Sequence, residues 1–484
     1  MKLALKIFAL LFLVETIVAH AQIAQPNPFK HIVVVFQENR TPDNLFQGLL
    51  TWPGINPANY NIATSGLNSS GQTIPLTASP FANHYDLSHA HAAFVAQYDG
   101  GKMDGADKVI CYGTCPPNAQ FVYVDNSTHL VDPYLTLAAK YGWANFMFTT
   151  HQGGSYPGHQ FIFGGTSATS AADDAAGLFV AEQPRQPAHS NYNAGGNTGC
   201  LAPVGEWNYI VHPDGTETTL MNNPAGALCF SHDTMATLLD SAGISWKYYS
   251  VPSVGITNRG GSIWTGPNSI RAVCVPDSSY STCTGSDWNA KVDLNPVHVL
   301  TDIKNCKLPS VSWVIPTYGN SDHPGSVTGA GSTGGPAWVA SIVNSIGNAT
   351  TCDGGAGYWS DTAMIVTWDD WGGWYDHVAP PILPGVQGDY QYGFRVPLLV
   401  ISSYTPPAFV DNSNHDYGSI LRFIEGVFNI GEGSLGFADA RANDDLAAFF
   451  KFKAKRRSFE AIPSPLNADY FIHDKRPLEP PDND

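Results

Sequence analysis

Two short stretches set acidic and amide side chains directly after apolar runs. "HIVVVFQENR" passes from residues 32–36 into Gln37, Glu38, Asn39 and Arg40, and "MIVTWDDWGGWYDHV" passes into Asp369 and Asp370. Three carboxylates and an amide converging from two strand ends repel one another unless a cation lies between them. Such a set suits one hard divalent ion of unknown identity (Mg, Ca, Mn or similar), or a His-assisted metal. Singly, each stretch has a plainer reading, with Glu38 paired to Arg40 and the aspartates capping a helix. Together on parallel strands they favour the metal.

"HQGGSYPGHQFIFGG" is a third site. Gly153 and Gly154 precede Ser155, and Pro157 follows at a first helical turn, so Ser155 is expected as an N-cap. A hydroxyl at a helix start lies beside unpaired N–H groups that attract anions, and with a metal on its oxygen it becomes a nucleophile. The pattern is not the G-x-S-x-G elbow, since residues 153–157 read G-G-S-Y-P. His84, His89, His91, His323 and His377 lie in short polar stretches. His89 and His323 are carried forward as phosphate-binding or proton-donating candidates, and the other three as structural.

These groups need elements to hold them. "HIVVVF", "WANFMFT", "ISWKYYS", "SVSWVIP", "TAMIVTW" and "VPLLVIS" read as buried strands. Between them, "DPYLTLAAKYG", "TMATLLDSAG", "PAWVASIVNSIG" and "SILRFIEGVFNIG" carry helical patterns, the third starting at its proline. Near-continuous apolar strands alternating with helices predict an α/β fold with a mostly parallel central sheet covered on both faces. Ligands then bind beyond the carboxyl ends of the strands. Residues 165–300, rich in Gly, Asn, Ser and Cys, break the rhythm and are expected as a disulfide-tied insertion.

"MKLALKIFALLFLVETIVAHAQ" reads as a signal peptide over residues 1–21, leaving a catalytic domain over 22–470 and a flexible tail over 471–484. No later stretch reaches the roughly 18 apolar residues of a membrane span, so an exported, periplasmic or extracellular protein is expected. Eight cysteines fit that setting as disulfides, and Cys111 and Cys115 favour a small tied loop over a zinc half-site. With 24 Lys+Arg against 41 Asp+Glu, net charge −17, the composition disfavours nucleic acid. "KFKAKRRSF" is expected as a solvated helix face.

In order along the chain, "ENRTPDNLFQG", "DLSHAHAAFVAQYDGGKMDG", "SYPGH", "SDHPG", "TWDDWGGWYDHVAPP", "GFRVPLLVISSY" and "DYGSILRFIE" resemble the signatures of the bacterial phosphoesterase family of phospholipases C and acid phosphatases. The resemblance implies an alkaline-phosphatase-like three-layer α/β/α fold and phosphate-ester hydrolysis. It makes Ser155 the nucleophile of a phosphoseryl intermediate, Glu38, Asn39, Asp369, Asp370 and Ser155 the metal site, and His89 and His323 the groups on the phosphoryl oxygens or leaving group. The sequence departs from the family pattern at Thr41-Pro42, Gly158, Trp371 and Tyr417. These departures, and the lack of the large C-terminal extension of haemolytic phospholipases, favour an acid phosphatase, with phospholipase C acting on phosphatidylcholine-type lipids as the alternative. A catalytically inactive binding protein of the same family is a further alternative; it predicts loss of the nucleophile or of a metal ligand, and none of those positions is lost. A carbohydrate binder leaves the acidic strand ends unexplained, and a glycosidase built on Glu38 and Asp370 leaves Asn39 and the "GGSYPGH" turn unexplained.

Overall fold

The computed structural model describes residues 27–181, 199–202, 204–252, 262–280, 282–324 and 331–478, so the expected leader lies outside the described residues. Eight strands form the central sheet: β1 (His31–Gln37), β2 (Gly142–Met147), β3 (Trp246–Tyr249), β4 (Val292–Asp293), β5 (Val311–Val314), β6 (Thr362–Trp368), β7 (Leu398–Ile401) and β8 (Phe409–His415). Their spatial order is β4-β3-β5-β1-β6-β7-β2-β8. Every neighbouring pair is parallel except those of β7, which runs antiparallel to β6 and β2. All six apolar runs read from the sequence are strands of this sheet.

β1 and β6 form its centre, and β6 is buried at every position. Phe36 and Trp368 occupy successive positions of the β1–β6 ladder and so face opposite sides. Phe36 meets His159 of the helix Ser155–Gly164 and Tyr417 of the helix Tyr417–Val427. Trp368 meets Tyr134 of the helix Asp132–Lys140 on the other side. Helices thus cover both faces, giving three layers.

Four disulfides join Cys111–Cys115, Cys200–Cys229, Cys274–Cys283 and Cys306–Cys352. The expected insertion over 165–300 is not one block. Residues Phe179–Ala181, Trp207–Val211 and Glu217–Met221 form a separate antiparallel sheet, but β3 and β4 within the same range belong to the central one. The boundary expected at 470 falls inside the helix Ala468–Ile472, because Phe471 is buried against Trp338. Arg476 is also docked, donating to Gly319 O and Asn320 Oδ1. The helix expected to start at Pro336 begins earlier, as Gly331–Asn348. The basic stretch at 451–459 is not helical: it turns at 451–454, where Ala454 N donates to Lys451 O, and continues as irregular chain in which Arg457 donates to Lys140 O and Thr405 O.

Candidate active site

The β1–β6 ladder ends at the pair Gln37–Trp368, and Asp369 N donates to Gln37 O at 3.0 Å. Glu38 and Asp369 therefore leave the sheet side by side. Asn39 turns the chain at φ +56°, a left-handed conformation that Asn tolerates better than most residues. Gly372 packs against that turn at φ +64°, where a Cβ would come within 2.4 Å of Asn39 O. Glycine there brings the two acidic loops backbone to backbone.

Oxygen and nitrogen atoms of Glu38, Asp369 and His159 lie within 4.8 Å of one another, all from buried side chains. His159 Nε2 is 3.7 Å from Glu38 Oε1 and 3.7 Å from Asp369 Oδ2. Among the described residues, neither His159 Nε2 nor Asp369 Oδ2 has a hydrogen-bond partner. The Tyr248 hydroxyl donates to Trp264 O at 3.0 Å, which leaves His159 Nδ1, 3.3 Å from that hydroxyl, as the donor to it. The ring's other nitrogen then turns a lone pair on the two carboxylates. Burial holds His159 down at about 4 despite the charge of Asp369, so the imidazole is neutral. Lone pairs converging in a buried space are what a divalent cation requires, and the residues present fit one.

Asn39 borders this cradle. Its backbone N–H donates to Asp369 Oδ1 at 3.3 Å. Its amide fits in two ways. With nitrogen toward the acids, it donates to Asp369 Oδ1 and Glu38 Oε2, each at 3.2 Å, and its oxygen accepts from His323 Nε2 at 3.0 Å. Turned over, the oxygen joins the carboxylates as a further donor and the nitrogen lies 3.3 Å from His89 Nε2. The structure brings His89 and His323 together around this amide, ring centres 6.2 Å apart. Each sets Nδ1 against a backbone carbonyl, Leu87 O for His89 and Pro324 O for His323, so Nδ1 carries a proton, and Nε2 donates as well only when the ring is an imidazolium.

Ser155 is the first residue of its helix, and the cap is Gly154, not Ser155 as the sequence suggested. The glycine spares the hydroxyl from capping, and it donates instead to Asp370 Oδ2 at 3.2 Å. Asp370 Oδ1 accepts from Gly372 N. Burial and the neighbouring Asp369 push the Asp370 carboxyl up to about 8, against the pull of His89, Gly372 N–H and His323. At Gly158 a Cβ would meet His151 Nε2 at 2.8 Å and Asp369 O at 3.0 Å. His151 takes that space and donates to Asp369 O at 2.9 Å. The Tyr417 hydroxyl lies between Trp368 O at 2.7 Å and Asp369 O, holding the same strand end.

Arg40 does not pair with Glu38. It donates to Asp322 O, Asn44 Oδ1 and Phe81 O, between the rings of Phe81 and Trp374. Nor do the aspartates cap a helix, since Trp371–Asp376 runs as turns. A second acidic group, Asp43, Asp376 and His377, already holds a cation of the chain's own. Arg395 donates to Asp376 Oδ1 at 2.8 Å and Oδ2 at 2.9 Å, and lies 3.4 Å from Asp43 Oδ1. His377 pairs with Asp43 and Asn61, and His91 with Glu217, as structural histidines do.

Sequence reasoning missed His159, His151 and Trp264. His159 had a signal: it stands four residues after Ser155 in a helix and so shares its face. Trp264 had none, because it comes from the insertion and reaches His159 and His323 only through folding.

A layered, mostly parallel α/β sheet carries, at its carboxyl end, a buried acidic cradle that could hold a cation and a helix-start serine beside it. The phosphoesterase family model matches residues 29–431, and the chain belongs to that family. Phospholipase C B of Mycobacterium tuberculosis is 28% identical over 283 residues, 53% of this chain and 49% of that protein. A non-hemolytic phospholipase C of Burkholderia pseudomallei is 30% identical over 262 residues, 46% and 35% of the two chains. Phospholipase C A of M. tuberculosis is 25% identical over 448 residues, 83% and 73%. The chain thus spans half or less of the first two relatives. Among solved structures, an alkaline phosphatase superfamily protein from Vibrio parahaemolyticus is similar at TM-score 0.33 and 11% identity, over 84% of this chain and 68% of that one. A likeness of that size carries no weight.

Proposed function

We propose that this protein hydrolyses phosphate esters, with Ser155 as nucleophile. The observation that carries the reading is the buried Ser155 hydroxyl, released from capping by Gly154 and held 3.2 Å from Asp370 Oδ2. In the first step Ser155 Oγ bonds to phosphorus as the ester P–O bond breaks, and the alcohol leaves with a proton. In the second, water attacks the phosphoserine, the P–Oγ bond breaks, Ser155 Oγ regains a proton, and phosphate departs, or the phosphomonoester where the substrate is a diester. Asp370 Oδ2 orients the hydroxyl. His89 and His323, with Nδ1–H tied to carbonyls, donate Nε2–H to the phosphoryl or leaving oxygen when protonated as imidazolium. N–H groups at the helix start favour the same anion.

Glu38, Asn39, Asp369, Asp370 and Ser155, joined by His159, would hold one divalent cation, which when bound supplies positive charge to the phosphoryl oxygens and to the serine oxygen. The paired cysteines support an exported, oxidising setting, and no described helix is long and apolar enough to cross a membrane.

Two substrate classes fit. An acid-phosphatase-like monoesterase is the first reading from the sequence; the names of the relatives favour a phospholipase C, for which phosphatidylcholine-type diesters are the substrates the sequence reading offers. Assaying p-nitrophenyl phosphate and p-nitrophenylphosphorylcholine in parallel, from pH 4 to 9 with metal-replete protein, separates them. Preference for the monoester supports the first, preference for the choline ester the second, and no turnover of either contradicts both.

A further inference from the structure

Trp264 belongs to the segment that carries the Cys274–Cys283 disulfide, within the range expected as an insertion. It is fully buried, and its ring stacks on His159 at 5.8 Å and 16° and leans on His323 at 6.3 Å and 33°. Its backbone is anchored twice: Trp264 N donates to Ser262 Oγ, and Trp264 O accepts from the same Tyr248 hydroxyl that fixes the tautomer of His159. Its indole Nε1–H, a donor that accepts nothing, has no partner among the described residues. Burying an unpaired donor costs stability, so its position asks for an acceptor. Trp313, Trp338 and Trp374 also carry unpartnered indole nitrogens. Their ring neighbours are core residues: Phe163 and Tyr248 for Trp313, Phe471 for Trp338, and Tyr85 for Trp374. Trp264 is the one of the four whose ring contacts two candidate-site histidines, stacked on His159 and tilted against His323.

We propose that Trp264 completes that centre, its Nε1–H donating to a phosphoryl oxygen of the substrate; this rests on the phosphate-ester reading above. A rigid, neutral, non-titrating donor in a water-poor pocket acts on the charge that builds on the equatorial oxygens during phosphoryl transfer. The contact is to phosphorus-bound oxygen and not to the alcohol, so it serves monoesters and diesters alike. It also gives the insertion a share in the chemistry.

Trp264→Phe keeps an aromatic ring and removes the donor. In metal-replete protein it should lower kcat/KM about 10- to 100-fold, by similar factors for p-nitrophenyl phosphate and for a p-nitrophenyl diester. Indole-¹⁵N labelling of the 12 tryptophans gives a second readout: orthovanadate should move one indole proton downfield in the wild type, and that resonance should be missing from the variant. Unchanged turnover in Trp264→Phe, with the wild type active, overturns the inference and leaves the phosphate-ester reading standing. A fall in activity with no indole shift in the wild type means a packing role and overturns it too. A wild type that neither hydrolyses phosphate esters nor binds vanadate brings both down. Should the variant fail to fold, the wild-type spectrum decides alone: one indole proton moved by vanadate supports the contact, and none moved contradicts it.

Discussion

Ser155 Oγ donates to Asp370 Oδ2 across 3.2 Å, although the two residues lie 215 positions apart and both side chains are fully buried. The bond joins the start of the helix after β2 to the end of β6. It exists because Gly154, with extended backbone, takes the cap that a serine would ordinarily fill. Ser155→Ala should therefore leave stability nearly unchanged, within about 1 kcal/mol for one lost hydrogen bond, while cutting turnover by about 10³-fold or more. Thermal melts beside p-nitrophenyl phosphate kinetics test this. A variant that melts far below the wild type would make Ser155 structural.

Glu38, Asp369 and His159 crowd lone pairs into one buried space. A cation that fills it stabilises the folded protein by mass action, by about 2.7 kcal/mol at a hundredfold excess over Kd. Chelator-treated protein should melt lower and recover on adding a divalent metal, and Asp369→Ala should remove most of that recovery. A melting temperature indifferent to chelation and to metals would contradict the cradle.

Arg395, Asp376, Asp43 and His377 form a separate buried charge network. It joins the stretches "ENRTPD", "YDHV" and "GFRVP": each supplies a member, and none of these four is in the cradle. Arg395→Met strands two buried carboxylates and should cost about 3–5 kcal/mol, read by urea denaturation, with the metal-dependent rise in melting temperature retained. Loss below about 1 kcal/mol would mean that the network is not holding the fold.

His415 sits between two carboxylates, with Nδ1 2.9 Å from Asp444 and Nε2 3.3 Å from Asp411. Burial alone would lower it, but the two acids outweigh burial and raise it to about 9. The folded value lies above the unfolded one, so its stabilisation is complete below about pH 6.5 and fades as pH rises through about 9. The contribution is on the order of 3 kcal/mol. Urea midpoints from pH 6 to 10 should fall for the wild type and stay flatter for His415→Gln; parallel curves would rule the pair out.

Much of this was legible in the sequence. Buried parallel strands must be apolar on both faces, so all six runs announced themselves, and with them the strand ends that carry Glu38, Asn39, Asp369 and Asp370. β8 was not legible: "FVDNSNH" is a half-exposed edge strand with a break in register at Asp411/Asn414, and pairing with β2 makes it a strand. β4 is two residues long and is defined by its neighbour β3. The cap of this helix was misread because residue type alone favours serine over glycine there, whereas Gly154 is the cap and the Ser155 hydroxyl bonds to Asp370. Trp264 and Arg395 act through tertiary contacts that no local spacing encodes.

The most direct measurement is to quench metal-replete protein in acid during turnover of p-nitrophenyl phosphate and map the phosphopeptides. Phosphate on Ser155 in the wild type, and on no residue of Ser155→Ala, is the predicted result. Steady turnover with Ser155 unmodified at every time point would contradict the serine nucleophile.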